Sequence, residues 1–227
     1  MRDSSPAQRA RRRRGITSSL LILLGVALLV SVFLLLAKLA LDGGTRDLDV
    51  ALLRGAQALR TELPWLADVM RDLSGMGSAV SLTLVTLGAC GYLLLIGRRV
   101  TAGLLAASTG CAIATVELLK AGFGRLRPDS AFAHFTQSGL SFPSGHSSMS
   151  AVVFLTLAVL LARAHARRLE RAYIMCAAFL LAGLIGLSRV ALGVHWLTDV
   201  IGGWTFGAAW AIVWLLIDER LDPVEAT

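Results

Sequence analysis

Residues able to do chemistry fall into three short clusters: KAGFGRLRP from Lys120 to Pro128, PSGH from Pro143 to His146, and SRVALGVHWLTD from Ser188 to Asp199. Lys120, Arg127 and Arg189 are cations without a matching number of nearby acids. At a low-dielectric boundary such a trio calls for an anionic ligand, and guanidinium forks suit phosphate oxygens. The Pro143-Ser144-Gly145 turn opens a hydrophobic run, where free backbone amides and a helix dipole favour the same anion. Gly145 permits close backbone approach, and Ser144 offers a hydroxyl. His195 and Asp199 are four residues apart and share a face if the last helix begins near Val194. The carboxylate then holds one imidazole nitrogen as N–H and leaves the other lone pair free to attack. His146, from another helix, is placed to protonate a departing alkoxide. The set suits displacement at phosphorus through a phosphohistidine that water later hydrolyses, with the cations stabilising the equatorial oxygens. A neutral His195 beside a protonated His146 implies a bell-shaped pH dependence.

Each element alone has a plainer reading. A histidine and aspartate one turn apart can be a structural pair or half a metal site, span-end arginines snorkel to head groups, and Ser-Gly caps helices. His146, His195 and Asp199 are candidate metal ligands, but three neighbouring cations would repel a divalent ion, so no metal or other cofactor is expected. Glu117 is placed to pair with Lys120. Arg125 divides evenly between ligand contact and loop surface. His134 and His165 sit in loops away from the clusters, and Gly203 with Gly207 forms a close-packing GxxxG pair.

The elements that must position these clusters are membrane spans. The 227 residues are 56% hydrophobic and only 16% charged, against about 25% charged in soluble domains. Six runs are long enough to cross a bilayer, which takes ~20 helical residues: Ile16–Ala37, Ser78–Ile96, Val100–Leu119, Ser144–Ala162, Ala172–Val190 and Trp196–Ile217. The expected fold is an all-α polytopic bundle over residues 16–217, between a basic tail (1–15) and a short C-terminal tail (218–227). The net charge of +7 lies largely in Arg11–Arg14, Arg98–Arg99 and the Arg163–Arg171 segment, which six crossings put on one side. The positive-inside rule makes that side cytoplasmic, so the excess marks topology and not nucleic-acid binding. All three chemical clusters then share the outer face. Run one is read as an uncleaved anchor, because its apolar core exceeds the ~7–15 residues of a signal peptide. In the first outer loop, Leu41 to Gly77, leucines recur at helical spacing with Pro64 as a break, which predicts two short interfacial helices. Cys90, Cys111 and Cys176 fall inside runs and are read as small buried apolar residues without a disulfide framework.

With spacing Lys-x6-Arg-Pro, Pro-Ser-Gly-His and Ser-Arg-x5-His-x3-Asp, the chain closely resembles the type 2 phosphatidic acid phosphatase superfamily of membrane lipid phosphate phosphatases. The motifs read Lys120…Arg127-Pro128, Pro143-Ser144-Gly145-His146 and Ser188-Arg189…His195…Asp199, with every spacing met. The resemblance implies His195 as nucleophile supported by Asp199, His146 as acid to the leaving group, and Lys120, Arg127, Ser144, Gly145 and Arg189 as phosphate holders, without metal. It further implies hydrolysis of phosphatidate, phosphatidylglycerophosphate or undecaprenyl diphosphate at the outer face of a bacterial plasma membrane, with both termini cytoplasmic. A phosphotransferase using the same site, and a non-catalytic lipid-binding or transport protein, are the alternatives. The soluble vanadate-holding haloperoxidases, which share this pocket geometry, are disfavoured by six spans.

Overall fold

The computed structural model describes residues 6–221 except 136, with side chains from residue 20 onward. The side chains of the basic tail and residues 222–227 of the C-terminal tail therefore lie outside the described residues. Eight α-helices and no strands occur among the described residues: α1 Pro6–Leu41, α2 Arg46–Glu62, α3 Pro64–Met76, α4 Ala79–Leu95, α5 Arg99–Phe123, α6 Gly145–Arg163, α7 Arg168–Ala191 and α8 Leu197–Leu221, with a 3₁₀ turn at Ser130–Phe132.

Five helices are long and apolar enough to cross a membrane: α1 (over Leu20–Leu41), α5, α6, α7 and α8. The second predicted span stands apart. α4 has 17 residues, and it passes the same test only together with α3, across a bend of 42°. Against an expected six, the described residues hold five helices of spanning length, or up to six if the bent pair is one span. The break between α2 and α3 falls at Pro64, which takes the first position of α3, where its missing N–H is harmless. Asp49 and Leu53 of α2 and Ala67 and Ser74 of α3 are buried, so both helices lie against the bundle.

α6 is the central helix, packed against α7 on one side and α8 on the other, while α1 lies along α8. Close approach of α8 to α6 depends on Gly203 and Gly207. A Cβ at Gly207 would fall 2.5 Å from Ala151 Cβ and 2.6 Å from the Ser148 carbonyl oxygen. At one end, Arg163 of α6 binds Asp218 (3.1 Å) and Glu219 (2.6 Å) of α8. At the other, Phe142 is fully buried among Phe33 and Phe123 and fixes the turn that begins α6 to α1 and α5.

The cysteines depart from expectation. They are free, but Cys111 and Cys176 are exposed on helix faces and Cys90 is only partly covered. In a membrane, the outward face of a helix is as apolar as its core, so an apolar run does not say which face is inside.

Replacing Gly207 with Ala forces α6 and α8 apart, and a loss of about 1–3 kcal/mol is expected from such overpacking. A Cβ at Gly88 meets nothing within 4 Å. Thermal unfolding in detergent should therefore show a clear fall in Tm for Gly207→Ala and none for Gly88→Ala.

Candidate active site

The end of α5, the start of α6 and the α7–α8 turn converge. Lys120, Arg127, Gly145, His146 and His195 line one cavity of about 230 Å³, together with Gln137 and an apolar wall that includes Leu82, Ile113, Val116 and Met149. The three sequence clusters thus meet at one end of the bundle, as the crossing count requires.

Helix α8 begins at Leu197, later than expected, so His195 precedes it by two residues. Asp199 is the third helical residue, and its Oδ2 accepts the backbone N–H of Trp196 at 2.9 Å. This is the return half of a capping box, in which the third residue satisfies the cap's amide. The same oxygen lies 3.2 Å from His195 Nδ1 and accepts the Ser141 hydroxyl. Ionised carboxylates accept only, so Nδ1 carries the hydrogen. On the opposite edge of the ring, an Arg127 Nη1–H donates to Nε2 at 2.8 Å. Guanidinium only donates, so Nε2 holds the lone pair. Both neighbours select the tautomer needed for attack by Nε2.

His195 is almost completely buried. Burial pushes its imidazole down to about 4, against the opposing pull of Asp199 and with help from the Arg127 and Arg189 charges. Burial likewise holds Arg127 below the usual guanidinium value, although Asp199 and Glu117 work the other way. Arg127 Nη1 also donates to the Val194 carbonyl at 2.9 Å and its Nε to that of Gly139 at 3.1 Å. Among the described residues it has no carboxylate partner in a salt bridge.

Arg189 is 2% exposed and donates to Ser74 of α3 and to Gln137, both neutral oxygens, while its Nε has no partner among the described residues. It stands over the Phe135 ring at 5.7 Å. It is not on the cavity wall and adjoins the site through Gln137. Ser144 is also set back, with its Oγ accepting from Ser147 at 3.1 Å. Gly145 is on the wall, and a Cβ there would sit 3.3 Å from Lys120 Nζ. Lys120 pairs with Glu117 at 2.6 Å, as the three-residue spacing suggests.

Arg125 does not line this cavity, and it is not a loop-surface residue either. Its side chain is 10% exposed and bridges Asp199 Oδ1 (2.5 Å) and Asp49 Oδ2 (2.9 Å), with its guanidinium 5.5 Å from the Trp196 ring. Sequence reasoning missed Asp49, Ser74, Gln137 and Ser141. Each acts through a partner far along the chain, and none has a local spacing that marks it. His134 and His165 stay away from the cavity, as expected.

Partly to fully buried cations, an oriented imidazole and a helical membrane bundle define a phosphate-handling enzyme of the membrane. Residues 101–222 match the model of the PAP2 superfamily, and the chain belongs to that superfamily. It is 33% identical over 196 residues to phosphatidylglycerophosphatase B of Bacillus subtilis, covering 83% of this chain and 92% of that protein. It is 34% identical over 116 residues to a lipid A 1-phosphatase of Rhizobium johnstonii, covering 45% of this chain and 42% of that one. Among solved structures, a transmembrane PAP2-type phosphatidylglycerolphosphate phosphatase from Bacillus subtilis superposes with TM-score 0.80 at 29% identity, covering 88% of this chain and 98% of that one. LpxE of Aquifex aeolicus gives 0.57 at 25% identity, covering 74% of this chain and 95% of that one.

Side-chain nitrogen NMR on histidine-labelled protein should find His195 neutral and protonated on Nδ1 from about pH 8 down to about pH 5. The second proton should add well below the ordinary imidazole value of ~6.5.

Proposed function

We propose that the chain is a membrane lipid phosphatase that removes a terminal phosphate from a glycerophospholipid, with phosphatidylglycerophosphate as the first candidate. The reaction runs through a phosphohistidine on His195. The observation that carries this reading is the cavity with its two characters: Lys120, Arg127, His146 and His195 at one end, Leu82, Ile113, Val116 and Met149 along the wall. A charged head group and an acyl chain need those two surroundings side by side. The choice of lipid rests on the Bacillus subtilis phosphatase, which is similar over most of both chains. The active end faces the outer side of the membrane and both termini the cytoplasm, by the distribution of arginines.

The steps follow from the atoms in place. Lys120 Nζ, the Arg127 guanidinium and the backbone N–H groups at the start of α6 take the phosphoryl oxygens, and the dipole of α6 adds to the attraction. A phosphoryl oxygen outcompetes an imidazole for the Arg127 N–H, which releases the Nε2 lone pair of His195. Nε2 bonds to phosphorus as the ester P–O bond breaks, and His146 delivers a proton to the departing lipid oxygen. Asp199 balances the charge that develops on the His195 ring. Water, deprotonated by His146, then attacks phosphorus and returns His195 to its starting form. Every proton and electron pair is accounted for by these two histidines and water, so a chelator should leave the rate unchanged.

His195→Ala should reduce phosphate release by about 10³-fold or more while the protein remains folded. In burst-phase measurements of phosphoenzyme formation, the step before water needs His146 as a base, His146→Ala should be severe on a lipid alkoxide leaving group and mild on a p-nitrophenyl phosphate, whose leaving group needs no proton. Equal losses on both substrates would remove His146 from the acid role. In a panel of purified lipid phosphates assayed with chelator, phosphatidylglycerophosphate should have the highest kcat/KM, and a bell-shaped pH profile should accompany turnover.

A further inference from the structure

We propose that Asp49, on α2 in the first outer loop, is a positioning residue for catalysis: it holds Arg125 against Asp199 and so keeps His195 aimed. The inference rests on His195 being the attacking group.

Asp49 is fully buried although it sits 149 residues before Thr198 of the helix it supports. Its Oδ1 accepts the backbone N–H of Thr198 at 3.2 Å. Its Oδ2 accepts the Thr198 hydroxyl at 2.7 Å, Arg125 Nη2 at 2.9 Å and the Thr45 hydroxyl at 3.1 Å. Thr198 adjoins Asp199, so Asp49 fixes both the first turn of α8 and the cation that touches Asp199. Arg125 completes the link, since the Nη1 that meets Asp199 Oδ1 at 2.5 Å also donates to Thr198 Oγ1 at 2.6 Å.

Two consequences follow for the reaction. The first is orientation. With Oδ1 of Asp199 held by Arg125, the carboxylate cannot rotate, and Oδ2 stays on His195 Nδ1. The second is charge. Asp49, Arg125 and Asp199 together carry one negative charge, which opposes the positive charge appearing on the imidazole as Nε2 attacks. Without Asp49 the remaining pair is neutral, and Arg125 draws Asp199 away from the ring. Both effects act on the transition state more than on lipid binding, so they should appear in kcat. An aspartate that merely stapled α2 to α8 would leave that split unmoved.

The test compares Asp49→Asn, Arg125→Lys and Asp199→Asn, singly and in pairs, in detergent-purified full-length protein with confirmed thermal unfolding, with His195→Ala alongside. Asp49→Asn should lower kcat by ~10²-fold, the scale of a small misplacement in an active site, with KM changed less than about twofold. In the Asp199→Asn background the same substitution should cost less than about threefold, because both act through one link. Arg125→Lys keeps the charge but loses the planar fork whose two nitrogens reach the two carboxylates separately, and it should reproduce the kcat loss. It decides the question if Asp49→Asn fails to fold. Losses that multiply in the double variant, or a folded Asp49→Asn (or, in its place, Arg125→Lys) with full activity beside inactive His195→Ala, overturn the positioning role alone. Full activity in His195→Ala overturns the nucleophile assignment itself.

Discussion

Two guanidiniums, Arg189 buried and Arg127 half-buried, have no carboxylate salt-bridge partner among the described residues, and they set the terms for the polar end of the bundle. Arg127 and Arg189 are held by carbonyl, amide, hydroxyl and imidazole groups, which satisfy hydrogen bonds and leave the charge unbalanced. Removing such a cation from water costs several kcal/mol even in a relaxed interior. The fold tolerates this because helices on all sides hold the neutral acceptors in place: Ser74 from α3, and Gly139 and Val194 from the loops beside α6 and α8. An anion with several oxygens relieves the imbalance, which makes phosphate recognition a property of the fold's electrostatics and not of one contact.

Two positions earlier the same cation type has the opposite fate. Arg125 is balanced by Asp49 and Asp199, and the difference from Arg127 arises because α2 brings a carboxylate to one and not to the other. Asp199 is where the two systems meet. It caps α8, accepts from Ser141, takes Arg125 on one oxygen and His195 on the other. A helix start is a suitable place for such a hub, because the α8 dipole favours negative charge there. The Asp199 carboxylate is thereby held by backbone structure and cannot drift without unwinding a turn.

The spans and the convergence of Lys120, Arg127, His146 and His195 were legible because length, hydrophobicity and charge sidedness are local properties that a bilayer constrains tightly. The bend between α3 and α4 was not, since the apolar run of α4 reads the same whether it crosses alone or with a broken partner. For Ser144 and Arg189 the residue type and helix end were legible, whereas their set-back from the cavity wall depends on side-chain packing. Asp49 was hidden for a different reason. One acid among the polar residues of an amphipathic helix looks like solvent-facing charge, and only the docking of α2 against α8 buries it.

In the proposed reaction, the contact between Arg127 and His195 ties substrate recognition to reactivity. One Arg127 nitrogen serves both the Val194 carbonyl and the Nε2 lone pair, so the proposed nucleophile is restrained by the group proposed to attract the phosphate. A ligand without phosphoryl oxygens gives Arg127 no reason to leave, and Nε2 stays engaged. A phosphate monoester draws the guanidinium toward itself and exposes the lone pair beside phosphorus in the same movement. The apolar wall then sets which end of a lipid enters, since Leu82, Ile113, Val116 and Met149 accept a chain where the cations accept the head. Charge decides when the histidine is free, and the shape of the cavity decides what lies in front of it.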